Sequence, residues 1–102
     1  MPGAGILTTF MLVVPYDAMT VRAWLVERTY DDKGLVRLTY ATPDGERAVR
    51  KERSVRLLER RPSTAAVDVD ADALEPVAAA DRERYRAEAA RMRERHDPDE
   101  AV

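Results

Sequence analysis

The chain has 102 residues, a net charge of −2 and 35% charged residues, and it contains one histidine and no cysteine. A chain of this length forms one domain with a single hydrophobic core and buries roughly 60 to 65% of its unfolded surface. The absence of cysteine excludes disulfides, thiolate nucleophiles and cysteine-ligated zinc or iron sites.

Residues 1–18 form an N-terminal extension whose pattern is ambiguous. Its apolar run, AGILTTFMLVVPY, has no Lys or Arg before it, is too short to span a membrane and lacks a cleavage signal. The extension is therefore either an extra strand that pairs with the sheet or a prefix added by a gene start placed before Met19. The two interpretations are equally supported. A cytoplasmic protein without membrane contact is expected.

The most clearly patterned stretch, 20–54, predicts three antiparallel strands joined by two tight turns. The strands are VRAWLVERTY, LVRLTYAT and RAVRKERS, and the turns contain DDKG and PDG. Turns of these types need a residue at positive φ, so Gly34 and Gly45 are expected to adopt it. The third strand carries many basic residues, which suits the edge of a sheet.

Alternation within these strands predicts which residues share a face. A three-residue loop ending at Gly34 places Tyr30 opposite Val36 and Trp24 opposite Thr42. The large apolar side chains then share one buried face, while the other face is half exposed. The expected core residues are Trp24, Val26, Val36, Leu38 and Tyr40.

The second half of the chain predicts a fourth strand and a long helix. Ser54 suits the N-cap of a short helix that Pro62 stops, although an extended segment fits almost as well. Residues 64–70 alternate as a strand, and Pro76 suits the first position of a helix continuing to about His96. The narrow apolar stripe of that helix is Tyr85, Ala89 and Met92.

The predicted architecture is α+β, with a three- to four-stranded antiparallel meander and a C-terminal helix packed on the sheet. One domain covers residues 19–96. Residues 97–102 are acidic and are expected to form a tail without fixed structure.

No pattern in the chain predicts catalysis, a metal site or a cofactor. The segment 68–72, DVDAD, resembles the start of a calcium loop, but Ala73 and Ala79 stand where that loop needs glycine and a bidentate glutamate. His96 ends an exposed helix and has no nucleophile beside it in the sequence. We therefore expect a protein that is not an enzyme, with no catalytic, metal-binding or cofactor-binding residues.

The strongest candidate for a binding surface is the basic run from Arg47 to Arg61, where seven basic residues accompany two acidic ones. Next to the aromatic residues of a small sheet, such a run suits the stacking and neutralisation of single-stranded nucleic acid. The favoured alternative is that the run pairs within the molecule, with the acidic C-terminal helix and the aspartates of 68–72. The seven residues are Arg47, Arg50, Lys51, Arg53, Arg56, Arg60 and Arg61.

These features favour a non-enzymatic interaction or adaptor module whose partner is an unidentified protein. The alternative is an RNA- or DNA-binding accessory protein that uses the basic run. The sequence does not predict an oligomeric state.

Two phrases, WLVERTYDDKGLVRLTYATPDGER and RERYRAEAARMRERHDPDE, resemble a group of small uncharacterised proteins of halophilic archaea over residues 19–100. The resemblance implies no activity, but it favours a cytoplasmic protein that starts at Met19. Proteins adapted to strong salt are usually far more acidic than this chain, so the retained basic run gains some weight as a functional feature.

Overall fold

The computed structural model describes residues 19–102, and the expectations about residues 1–18 lie outside that range. The described residues form β1 (Thr20–Tyr30), β2 (Leu35–Ala41), β3 (Arg47–Ser54), α1 (Val55–Arg60), β4 (Ala66–Asp70), β5 (Glu75–Pro76) and α2 (Ala79–Arg95). The strands make one sheet in the order β4-β1-β2-β3-β5, with each neighbouring pair antiparallel. The α+β prediction is confirmed, and β5 is a strand that it did not include.

Both turns of the meander form as predicted, with φ of +85° at Gly34 and +74° at Gly45. In the first turn the carboxylate of Asp31 accepts hydrogen bonds from the backbone N–H of Leu35 at 2.9 Å and of Lys33 at 2.8 Å. These two bonds hold the pKa of Asp31 below its ordinary value. The hairpin is thus closed by the local chemistry of its own residues.

The second turn closes a hairpin and also packs against α2. Its Asp44 carboxylate accepts a hydrogen bond from the Thr42 hydroxyl at 2.6 Å, which lowers the pKa of Asp44. A Cβ atom on Gly45 would collide with the carbonyl oxygen of Arg82 and lie 2.7 Å from the backbone nitrogen of Arg86. Glycine is therefore required here both by the backbone angle and by the approach of the helix.

A bulge in β1 at Val26 departs from the predicted register. On the turn side of the bulge, Tyr30 pairs with Val36 as predicted. On the other side, Trp24 pairs with Ala41, one position away from its predicted partner, because a bulge places an extra residue in one strand.

The shifted register produces two apolar faces instead of one. The helix face packs against α2, and its cluster includes Trp24, Val26, Ala41, Tyr85 and Ala89. The inner face lies on the opposite side, and its cluster includes Ala23, Leu25, Val36, Leu38 and Tyr40. All five predicted core residues are buried, but they divide between the two faces. The prediction that they share one face is wrong.

The sheet curls over its inner face, because a short connection joins its two edges. In a flat sheet, four strand spacings would separate β4 from β5 by about 19 Å. Residues 71–74 join these strands, and three of them form a 3₁₀ turn that rises only about 2 Å per residue. Leu74 in this connection is 4% exposed and belongs to the inner-face cluster.

The segment from α1 to β4 crosses the inner face. The N–H of Leu57 donates to the hydroxyl of Ser54 at 3.0 Å, so the N-cap and the helical alternative for this segment are both confirmed. Farther along, the carbonyl of Ala65 accepts a hydrogen bond from the N–H of Leu25 at 2.8 Å.

The final helix begins later than predicted. Pro76 lies in β5, and the N–H of Val77 still donates to the carbonyl of Glu46 at 2.8 Å, so the chain leaves the sheet only after this point. The helix starts at Ala79, and the predicted start at Pro76 is wrong. Its docking stripe is as predicted, with two residues buried and one partly buried: Tyr85, Ala89 and Met92.

Residues 97–102 are paired with the chain, so the expectation of a tail without fixed structure is wrong. The carbonyl of Glu100 accepts a hydrogen bond from the N–H of Ala65 at 2.8 Å, and the N–H of Val102 donates to the carbonyl of Ser63 at 2.9 Å. The Val102 side chain also packs against both apolar clusters. After α2 the chain therefore runs back and pairs with residues 63–66, the end of the segment that crosses the inner face before β4.

Candidate functional site

The basic run does not form one continuous surface, because strand alternation divides it. Along β3, Arg50 lies on the helix face with Ala48, whereas Arg47, Lys51 and Arg53 lie on the inner face. Two further residues, Arg56 and Arg60, are exposed on α1, and Arg61 is exposed just after it. Arg47 already has a partner within the molecule, since its guanidinium donates a hydrogen bond to the carbonyl of Leu74 at 3.3 Å.

The predicted pairing of the basic run with acidic residues is wrong. Within the part of the chain that the structure describes, none of the seven residues forms a salt bridge. Asp68 pairs with Arg22 at 3.2 Å. Three of the four acidic residues of α2 pair with arginines one turn farther along the same helix, which are already close. The pairs are Asp81–Arg84, Glu83–Arg86 and Glu88–Arg91.

Two rows of side chains cross β1, β2 and β3 on the inner face near the first turn, and we call them the basic rows. They are Tyr30–Val36–Arg53 and Arg28–Leu38–Lys51. Tyr30 is 63% exposed and lies at the end of its row. Tyr30 is one of the sheet aromatics that the sequence predicts beside the basic run, whereas Arg28 was not predicted as part of the candidate surface, although the predicted register pairs it with Leu38.

A cavity of about 230 Å³ lies beside the basic rows, between β2, β3 and the segment 57–64. Lys51 and Arg53 reach it from β3, and Arg61 reaches it from the end of α1. The tertiary fold therefore brings together three of the seven predicted basic residues. These three lie up to ten positions apart in the sequence.

The outer edge of β3 is a second feature of this region. In residues 19–102, β5 pairs with Arg47 and Ala48, and the rest of β3 has no strand beside it. The carbonyl of Arg47 accepts a hydrogen bond from the N–H of Thr42 on the β2 side, whereas the carbonyl of Glu46 accepts one from Val77, the residue after β5. Because these directions alternate along a strand, the backbone N–H and C=O groups of Arg50 and Glu52 point away from β2.

The polar cluster under α2 has a structural role. The Tyr85 hydroxyl donates to the carboxylate of Glu27 at 2.7 Å, and Arg84 lies 4.9 Å from the centre of the Tyr85 ring. Burial, followed by the hydrogen bond to Glu27, raises the pKa of Tyr85. These contacts dock the helix on β1.

Two further features are absent from residues 19–102. No group of three His, Cys, Asp or Glu side chains in this range is arranged to hold a metal ion. The same range contains no helix whose length and apolar character would let it cross a membrane.

No curated protein and no solved structure matches the chain. A family model matches residues 17–102 and is described as a family of unknown function. The match covers the whole sheet, both helices and the C-terminal segment, and it agrees with the expected relation to an uncharacterised group. The chain therefore belongs to the family of unknown function DUF7967.

Proposed function

We propose that this protein is a non-enzymatic interaction module of the cytoplasm that binds an extended, acidic segment of a partner protein. The segment adds to the sheet as a strand beside β3. The observation that carries this proposal is the outer edge of β3, which has no strand beside it from Val49 to Ser54 in the described range.

The backbone of this edge supports strand addition. Arg50 and Glu52 each direct an N–H donor and a C=O acceptor outward, and the carbonyl of Glu52 already accepts a hydrogen bond from the Arg53 guanidinium at 2.8 Å. An added strand therefore makes up to three hydrogen bonds with the other groups. A typical net contribution is about 1 kcal/mol for each such bond, which gives moderate affinity before side chains contribute.

The charges of β3 favour an acidic partner over a second copy of the chain. Basic residues occupy both faces of the strand, with Arg50 on one and Lys51 and Arg53 on the other. The carboxylate of Glu52 is already bound by Arg37 at 2.9 Å. Like charges across a strand pair are unfavourable and opposite charges are favourable, so a copy of β3 is a poor partner and an acidic strand is a good one.

The proposal agrees with the resemblance to proteins of halophilic archaea, and we propose that origin. At molar salt the Debye length is about 3 Å, so long-range attraction is lost. Backbone hydrogen bonds and contacting charges act at short range and still operate there.

The test uses a fluorescent peptide of about six residues, the length of the free edge, that alternates Glu and Val. We expect a Kd below about 1 mM, and weaker binding of a peptide that alternates Lys and Val. The variant Glu52→Pro removes one outward N–H but keeps the hydrogen bonds to β2. It should weaken binding about tenfold, measured by fluorescence anisotropy.

The matched control is Glu52→Thr, which makes the same loss of charge but keeps the N–H. It should bind the acidic peptide as tightly as the parent chain or more tightly. If folded Glu52→Pro protein binds the peptide as well as the parent does, strand addition at this edge is rejected. Failure of every acidic peptide to bind rejects it as well.

A second candidate function is the binding of single-stranded RNA or DNA, favoured by the exposed ring of Tyr30 beside three cations of the basic rows. An exposed aromatic ring stacks on a base while neighbouring cations neutralise phosphates. Under this alternative, Tyr30→Ala and Arg53→Gln each weaken retention on single-stranded RNA at ~0.1 M salt, and log affinity falls linearly with log salt. Arg56→Gln, on the surface of α1, is the control.

A further inference from the structure

The cavity beside the basic rows combines an apolar wall with a cationic lining. Leu38 and Tyr40 from β2 and Leu58 from α1 form much of the wall. Lys51, Arg53 and Arg61 supply three positive charges from two separate parts of the chain. The first two belong to a strand on the inner face, and the third follows a helix that lies across that face.

These three cations have no acidic partner in the part of the chain that the structure describes. None of them forms a salt bridge there, and no Asp or Glu from residues 19–102 lines the cavity. Arg53 donates to the carbonyl of Glu52 at 2.8 Å, which satisfies a donor but does not balance its charge.

A fourth cation, Arg28, lies close to this group. It stands in the same row as Lys51, with Leu38 between them. Burial raises the pKa of Tyr40, and the charges of Arg53 and Arg28 oppose that rise. Like charges held together beside an apolar wall repel one another more strongly than they do in bulk water. A bound anion removes that repulsion and gains charge-assisted hydrogen bonds.

We infer that this cavity binds a small organic anion with two or more negative charges, either a phosphate ester or a polycarboxylate. A guanidinium group binds two oxygens of a carboxylate or of a phosphate at once, and the ammonium group of Lys51 adds a point charge. The wall of Leu38, Tyr40 and Leu58 accommodates the carbon part of such a ligand.

The volume of the cavity limits the part of a ligand that it can enclose. At about 230 Å³ it is smaller than the roughly 300 to 1,000 Å³ typical of sites for drug-sized molecules. A phosphorylated or polycarboxylated compound of a few carbon atoms fits inside, whereas most of a complete dinucleotide would lie outside the cavity.

This inference and strand addition share two cations but rest on different groups. Lys51 and Arg53 contribute charge to both, whereas only strand addition needs the outward backbone groups of Arg50 and Glu52, and only the anion site needs Arg61. Glu52→Pro therefore tests strand addition and Arg61→Gln tests the anion site, so the two proposals can fail separately.

The test is isothermal titration calorimetry of the full chain with pyrophosphate and with citrate, using acetate and chloride at equal ionic strength as controls. We expect saturable binding with a Kd below about 1 mM for at least one of the two polyanions, and none for acetate. Pyrophosphate and citrate represent the two ligand classes, so their relative affinity distinguishes phosphate esters from polycarboxylates.

Arg61→Gln tests the location of the site, and Arg60→Gln is its matched control, since both remove one positive charge from neighbouring exposed positions. Arg61→Gln should weaken binding about tenfold, and Arg60→Gln less than about twofold. Side-chain NMR signals of Arg53 and Arg61 in the unaltered chain should shift on titration, which tests the site without a substitution.

Three results overturn the inference. The first is the absence of saturable binding by both polyanions. The second is an equal effect of Arg60→Gln and Arg61→Gln, which indicates general attraction to a positive surface. The third is tight binding of single-stranded RNA without binding of either polyanion, which assigns the cations to a nucleic-acid surface.

Discussion

Gly45 is the residue at which local turn chemistry and tertiary packing meet. Its φ of +74° suits glycine, and α2 lies directly against its Cα. Gly34 has a similar φ of +85°, but a Cβ there would have nothing within 4 Å. The two glycines therefore separate the cost of the backbone angle from the cost of the contact.

We predict that Gly45→Ala destabilises the fold by about 3 kcal/mol or more. Roughly 1 to 2 kcal/mol arises from the positive φ, and the rest arises because the turn and α2 must move apart. Urea denaturation followed by circular dichroism measures this loss.

Gly34→Ala is the control, and it should cost about 1 to 2 kcal/mol because only the backbone angle is affected. Equal losses for the two variants would contradict the packing of the second turn on α2.

At the scale of elements, the C-terminal segment and the crossing before β4 depend on each other. The crossing runs from α1 over the inner face, and residues 97–102 pair with its last part through backbone hydrogen bonds. His96 helps to hold the C-terminal segment in place, because its Nδ1 lies 2.7 Å from a carboxylate oxygen of Glu100. The hydrogen bond to His96 lowers the pKa of Glu100.

We predict that a chain ending at His96 is less stable than the full chain by about 2 kcal/mol. The loss combines backbone hydrogen bonds of about 1 kcal/mol each with the buried area of Val102, partly offset by the freedom that six residues regain. The free energy of unfolding in urea is the measurement.

The full chain carrying Glu100→Gln is the control for this truncation. It removes the exposed contact between the Glu100 carboxylate and His96 while keeping the backbone pairing, so its effect should be much smaller than that of the truncation. Unchanged stability after truncation would mean that the segment does not hold the crossing.

At the scale of the whole molecule, the described residues build a domain with two apolar clusters on opposite faces of one curled sheet. The α2 helix covers one cluster. The crossing and the connection 71–74 cover part of the other. The carbonyl of Met19 accepts a hydrogen bond from the N–H of Ala71 at 2.6 Å, so the pairing of β1 with β4 extends to the first described residue.

We predict that a chain beginning at Met19 folds with a free energy of unfolding within about 1 kcal/mol of the full chain. The reason is the change of pattern at this residue, after which strand alternation begins. Thermal unfolding of the two chains, followed by circular dichroism, is the test. A loss of several kcal/mol would identify the extension as part of the core.

Local chemistry was sufficient to predict the meander, both turns and the N-cap at Ser54. Each of these depends on residues a few positions apart, where spacing and side-chain type decide the geometry. The burial of Trp24 and Tyr40 was also predictable, because apolar strand residues are buried on whichever face they occupy.

The tertiary structure decided which face each residue occupies and which distant groups meet. The bulge at Val26 changes the alternation of β1, and nothing in the local pattern of apolar residues marks it. The meeting of Lys51, Arg53 and Arg61 depends on a crossing whose path is set by pairing with the C-terminal segment. Such contacts follow from the packing of segments far apart in the chain, and periodicity within one segment carries no information about them.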